Sequence, residues 1–359
     1  MSDPDLSAAK QSRLLKFGSG AGKFVKHFLR MSSPISTTVT VGSEAESRED
    51  TTTRYSGLRF YIRYISKDIP ALIGGIMIVI FLGFGIIEGT LQEVGSLINR
   101  PSLGWLLLPS NPLALNFAQK YIPPCWIGSA SSCGSAVNFL GTNDEGQSIL
   151  SRLMYATPHD ALAAVLVVTI AIVVGMFVGT TSGYFGGWVD DILMRLTDAF
   201  LALPGLILAI AIAVLLGPGF TSALLALMTI WWPTYARFFK GQAVQIKNRG
   251  YVEAAKLNGI RSFKILMKHL FPNSIDPIIA YATLDFGTVI LTYASLAFLG
   301  IGVELGYPEW GNEAAVGLQF FPQYWWMAII PSLLIMAVVV AFTLVGDRIQ
   351  DLVGGRVNR

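Results

Sequence analysis

The stretch Ala161–Tyr184, ALAAVLVVTIAIVVGMFVGTTSGY, decides the fold. It carries no charged side chain and exceeds the ~20 residues that an α-helix needs to cross the hydrocarbon core. Working outward, five more apolar runs are expected to span: Ile69–Ile87, Leu193–Leu216, Thr221–Phe239, Ile275–Leu299 and Trp325–Val345. The 359-residue chain is 53% hydrophobic and 14% charged, against roughly 25% charged in soluble domains. The runs are continuous rather than alternating, which excludes a β-barrel. The expectation is an all-α polytopic membrane protein with six transmembrane helices.

Lysine and arginine orient these spans. Of the 26 in the chain, three (Arg100, Lys120, Arg152) fall on one face of the membrane and the rest on the other. Basic residues are retained inside during insertion, so both termini are expected in the cytoplasm of a multi-pass cell-membrane protein. A cleavable signal peptide is not expected, because the first apolar run starts late. Residues 1–55 form the N-terminal tail. Ser33–Thr53 has a disordered composition, and Lys10–Arg30 fits either a basic helix on the inner leaflet or a solvated tail. Outside lie a long loop, about 88–152, and an interfacial helix, about 303–324, with Trp310, Tyr324, Trp325 and Trp326 as headgroup-level anchors. An ordinary aromatic belt accounts equally well for Trp325 and Trp326.

The cysteines, Cys125 and Cys133, share the first outer loop. An oxidising exterior allows a disulfide closing CWIGSASSC; two thiols are the alternative. A metal is not expected, since two ligands are too few and no histidine lies nearby. Gly18–Lys23, GSGAGK, falls short of a phosphate loop: the lysine comes one residue early, and Phe24 stands where a magnesium-binding hydroxyl is needed. Gly179–Gly183, GTTSG, is not paired with a base within reach, so an intramembrane enzyme is disfavoured; Gly183, Gly186 and Gly187 are expected to end a helix. Asp285 lies mid-span, where a lone carboxylate costs about 2.5–3.5 kcal/mol. It is either a pathway-lining residue or a structural hydrogen-bond partner. Glu88, Asp160, Asp198 and Asp347 sit near span ends, where water is expected to reach them. An ion-coupled secondary transporter would need more intramembrane charge than this.

Between the fourth and fifth spans lies Tyr251–Asn273, YVEAAKLNGIRSFKILMKHLFPN. Tyr251, Ala254, Ala255 and Asn258 share a helical face. Glu253 and Lys256 are spaced to pair, and Gly259 allows a left-handed stop. A second helix, Arg261–Leu270, would carry Phe263, Leu266, Met267 and Leu270 on an apolar face and Arg261, Lys264 and Lys268 on a basic one, with Pro272 blocking continuation. A membrane-surface helix would explain the second half but not the small-residue helix and glycine before it.

Glu253-Ala254-Ala255, then Gly259, then His269 with Pro272 and Asn273, resembles the EAA loop of ABC importer permeases. The histidine form resembles the dipeptide/oligopeptide branch. Other stretches agree: Leu140–Gly146 with Ile149–Tyr155, Gly183–Gly217, Ala294–Gly302 followed by Pro308–Gly311, and Gly346-Asp347-Arg348 with Asp351. Gln147 and Ser148 replace the arginine and aspartate typical there, so those roles do not carry over.

The resemblance, to the C-type (DppC/OppC-like) permeases, covers about Ser56–Asp351. It implies the type I ABC importer permease fold over 56–351, a short tail at 352–359, and a coupling loop at about 241–273. Glu253, Ala254, Ala255, Asn258, Gly259, Arg261, His269 and Pro272 would there meet an ATPase subunit. The implied partners are a B-type permease forming a heterodimer, two ATP-binding subunits that hold the ATP and magnesium, an external substrate-binding protein, and the lipid bilayer. No nucleic acid and no cofactor within the chain are expected. Peptides are the implied cargo; relatives carry oligosaccharides or nickel.

Overall fold

The structure, a computed structural model, describes residues 65–127, 139–302 and 307–353. The expectations for residues 1–55, for Cys133 and its bridge to Cys125, and for most of the C-terminal tail fall outside these residues. Among the described residues the regular structure is helical: α1 (Ile69–Leu97), α2 (Ile149–Phe185), α3 (Gly187–Leu201), α4 (Gly205–Leu216), α5 (Phe220–Lys247), α6 (Gly250–Leu257), α7 (Ser262–Ile265), α8 (Phe271–Ser274), α9 (Asp276–Phe298), α10 (Trp310–Leu318) and α11 (Trp326–Val353).

By length and composition α1, α2, α9 and α11 can each cross a membrane, and α3 with α4 makes a bent fifth candidate. The third span is broken at Pro204-Gly205, as a proline within an apolar run leads one to expect. The two halves meet at 86°, because Pro204 lacks the N–H that would continue α3 and disfavours helical geometry in the residue before it. The expected fourth span lies inside α5, which has the length but is diluted by Trp231, Trp232, Pro233 and Tyr235. Tyr235 and Phe239 are fully buried, so neighbouring helices cover much of this helix.

A glycine stripe lets α2 and α5 approach at backbone distance. A Cβ at Gly175 would collide with Tyr235 Cβ, and one at Gly179 with the Ala236 carbonyl oxygen. One at Gly183 would sit 2.8 Å from Ala243 Cβ. Small residues four apart are the usual means of close helix packing in lipid, where dispersion must supply the attraction. Gly183 thus packs inside α2 rather than ending it. Gly186 and Gly187, at φ +66° and +56°, make the turn. The same device seats α10: a Cβ at Gly311 would strike the Ala294 carbonyl on α9, and one at Gly317 the backbone of Met327 on α11.

This seating buries two of the expected headgroup-level anchors. Trp310 is 1% exposed, packs on Phe81 and donates from Nε1 to the Leu153 carbonyl at 2.9 Å. Trp326 is also buried, donating to the Thr142 carbonyl at 3.3 Å. Both indoles are core residues whose N–H found a partner, whereas Tyr324 and Trp325 remain half-buried. Water does not reach Glu88 or Asp160, each fully buried, although Asp198 and Asp347 are exposed as expected.

Arg152, expected in an outer loop, is buried in the first turn of α2. It donates through Nε and Nη2 to Glu313 Oε1 at 2.8 and 2.6 Å, and through Nη1 to Gln147 Oε1 and the Pro112 carbonyl. Ser148 caps α2, accepting from Ser151 N.

Two outcomes test this packing. Gly179→Val should cost at least about 2 kcal/mol through overpacking, whereas Gly241→Ala, with nothing within 4 Å of its added Cβ, should be neutral or slightly stabilising. Thermal unfolding of the lipid-reconstituted protein compares the pair. Arg152→Gln should cost about 3–5 kcal/mol by stranding the Glu313 carboxylate, and the double variant with Glu313→Gln should recover part of that loss in the same assay.

Candidate functional site

The segment from Gly250 to Ser274 is a small folded unit laid across the ends of α2 and α5. Val252 and Ala255 of α6 point inward, joined by Ile265, Leu266, Leu270 and Phe271. Beneath them lie Tyr184 of α2 and Ala243 and Ile246 of α5. Phe271 meets Phe177 edge-on, with ring centroids 5.2 Å apart. Lys247 and Lys256 both lie over the Tyr184 ring, at 6.0 and 5.5 Å from its centroid, the geometry of a cation–π contact.

The turn after α6 forms as expected. Asn258 closes the helix, and Gly259 adopts φ +73°. Gly259 N donates to the Lys256 carbonyl at 3.0 Å and Ile260 N to the Ala255 carbonyl at 3.1 Å. This pair of bonds is a Schellman motif with glycine in its left-handed position. The Asn258 side chain adds a third bond, Nδ2 to the Ala254 carbonyl at 2.9 Å.

Two expectations here are corrected, and one shared face proves divided. Of Tyr251, Ala254, Ala255 and Asn258, three are exposed and Ala255 turns inward, with Val252 as its buried partner. Val252 brings more apolar area to Ile246 than an alanine could, so it sets the helix rotation. Glu253 makes no ion pair among the described residues; Lys256 lies over Tyr184 instead. The second helix is neither continuous nor ended by Pro272. A π-turn at Leu266–Leu270 follows α7, and Pro272 sits in the first turn of α8, where no N–H is required of it.

The wide π-turn shifts the buried stripe to Ile265, Leu266, Leu270 and Phe271 and turns Phe263 and Met267 out, at 71% and 44% exposure. With Leu257 at 90% and Tyr251 at 42%, they give the outer side of the unit an apolar surface. Glu253, Arg261, Lys264 and Lys268 surround it, all exposed. His269 is half-buried, its ring 6.0 Å from that of Tyr251. The burial pattern could not be found from periodicity, because the π-turn breaks the period.

Asp285 lies apart from this unit. It is 8% exposed and accepts from Trp231 Nε1 on α5 at 2.5 Å. That is an interhelical hydrogen bond between α9 and α5. Cys125 is half-buried in the loop before α2.

The family of binding-protein-dependent transport system inner membrane components matches residues 171–359. The chain is similar to the dipeptide transport system permease protein DppC of Alkalihalophilus pseudofirmus, 36% identical over 60% of this chain and 71% of that one. With DppC of Escherichia coli K12 it is 34% identical over 82% of this chain and 91% of the relative. The glutathione transport system permease protein GsiD of Pectobacterium atrosepticum is 35% identical over 60% and 72%. Among solved structures, an inward-facing form of the MetNI methionine ABC transporter aligns over 56% of this chain and 96% of that one, at 19% identity and a TM-score of 0.47. With the family match covering more than half of its length, the chain belongs to the inner membrane components of binding-protein-dependent transport systems, as an ABC importer permease.

Proposed function

We propose that this chain is the C-type half of an ATP-driven peptide importer, and that the 250–274 unit is where ATPase motion enters it. The observation that carries this reading is the two-sidedness of the unit. Its inner side is fastened to α2 and α5 by a core of its own, and its outer side exposes Tyr251, Leu257, Phe263 and Met267. An exposed apolar surface with a charged rim is the composition of a protein-docking patch. A soluble ATPase that grips it moves α2 and α5 as a body.

In this reading Glu253, Ala254, Asn258, Gly259 and Arg261 face the ATPase, whereas Ala255 fastens the unit to α2 and α5. ATP and magnesium bind in two ATPase subunits, a B-type permease completes the pathway, and an external binding protein delivers cargo. The basic residues concentrated on the 250–274 side orient that side, with both termini, toward the cytoplasm. Closure of the ATPase pair favours an outward-open pathway and its release an inward-open one. The bend at Pro204 leaves α4 as a short segment beside α5, positioned to line that pathway. Asp285, bonded to Trp231, serves chiefly to tie α9 to α5. The peptide cargo rests on the activities for which the relatives are named, dipeptide and glutathione transport.

Gly259 supplies the sharpest test, since space is not its constraint: nothing lies within 4 Å of an added Cβ, and φ alone is special. Gly259→Val should leave membrane insertion intact but abolish stimulation of ATP hydrolysis by the loaded binding protein, while Gly259→Asn, which tolerates the left-handed region, should keep most of it. Full stimulation in the valine variant would overturn the coupling role. Purification of the tagged chain from its source membrane should bring two ATPases and a second permease; an active lone chain would overturn the assembly.

A further inference from the structure

At the end of α2 farthest from the 250–274 unit, two carboxyl groups are buried against each other. Asp160 of α2 is 0% exposed, and Glu309, the residue capping α10, is 1% exposed. Glu309 Oε2 accepts from Asn312 N at 2.7 Å. Its Oε1 and both Asp160 oxygens find no donor beyond Asp160's own backbone N–H, yet the two side chains lie within hydrogen-bonding reach of each other. Two ionised carboxylates cannot be held so without a cation or a proton, because burial and like charge add.

The surroundings supply no cation. From α2, Arg152 is committed to Glu313 of α10. His159 is turned to Tyr307, its Nδ1 2.8 Å from the hydroxyl. From α9 the facing group is Tyr293, and from α1 Glu88 is engaged by Gln92 Nε2 at 3.2 Å. Among the described residues no lysine or arginine pairs with Asp160 or Glu309.

We propose that Asp160 and Glu309 bind one proton between them, a carboxylic acid donating to a carboxylate, and that this proton locks the first turn of α10 onto α2. Losing it leaves two buried negative charges facing each other, and that turn is pushed away from α2. Burial agrees with this: it raises the Glu309 carboxyl above its ordinary value, against the hydrogen bonds it receives from the Asn312 and Gly311 N–H groups. The ordinary glutamate value is 4.5, so the packed state binds the proton more tightly than the unfolded chain does. The stability it contributes is complete below the ordinary carboxylate range and is lost as the pH rises through the raised value of the pair. The titration belongs to the pair rather than to either residue.

The test uses the full chain in lipid nanodiscs, with Asp160→Asn and Glu309→Gln as variants whose amides donate permanently. Between about pH 5 and about pH 10 the wild type should lose about 5 °C in melting temperature. A protonated-carboxyl C=O band should fade from its infrared spectrum over the same interval. Both variants should flatten the melting profile and lack the band, and either suffices if the other fails to fold. A flat wild-type profile, or a slope kept in the folded variants, would overturn the proposal. So would alkaline stabilisation by sodium, relative to choline, that Asp160→Asn removes, because the ligand would then be a metal cation.

Discussion

The backbone contact between α2 and α5 is the constraint on which the rest depends. In a bilayer, helices gain nothing by hiding apolar surface from lipid, so association rests on close packing and hydrogen bonds. Gly175, Gly179 and Gly183 clear one face of α2, and Tyr235, Ala236, Phe239 and Ala243 of α5 fill it. Much of α5 is then shielded, which accommodates a helix carrying two tryptophans, a proline and a buried tyrosine. The pair also provides the floor of the 250–274 unit, through Tyr184, Ala243 and Ile246. A force on that unit is delivered to two helices already locked together.

The two ends of the bundle solve different problems. At the 250–274 end the core is mainly apolar, with the buried Ser274 hydroxyl donating to the Leu270 carbonyl, and the helix terminus is closed by a backbone motif that needs only a glycine. At the opposite end the buried groups are polar, and each must find a partner. Arg152 gathers Glu313, Gln147 and the Pro112 carbonyl around one guanidinium. Trp310 and Trp326 bond to backbone carbonyls. Asp160 and Glu309 stand out because the side chain each faces is another acid.

The sequence was most legible where the physics is local. The apolar runs placed α1, α2, α9 and α11, because insertion depends on composition over about 20 residues. Gly259 was legible because a left-handed helix stop selects glycine whatever surrounds it. Pro204 marked a break, although not its angle. Legibility failed at rotation and depth. The residues that fasten α6, Val252 and Ala255, do not follow from its small-residue face, and the π-turn at 266–270 moved the buried stripe of the next segment by a register no 3.6-residue period describes. Trp310 and Trp326 had the chemistry of interfacial anchors and became core residues.

By itself the sequence determined that this chain resides in a membrane, where its long helices lie, and that a glycine-stopped helix stands between the fourth and fifth apolar runs. These follow from side-chain hydrophobicity and backbone preference within a few turns. Tertiary structure alone decided that α3 and α4 meet at 86°, and which face of α6 is fastened. It also decided that Glu88, Asp160 and Glu309 lie beyond the reach of water. Burial and pairing depend on neighbours far away in the chain: Asp160 meets Glu309, and Arg152 meets Glu313, only once α10 has been seated by Gly311 and Gly317 among the longer helices.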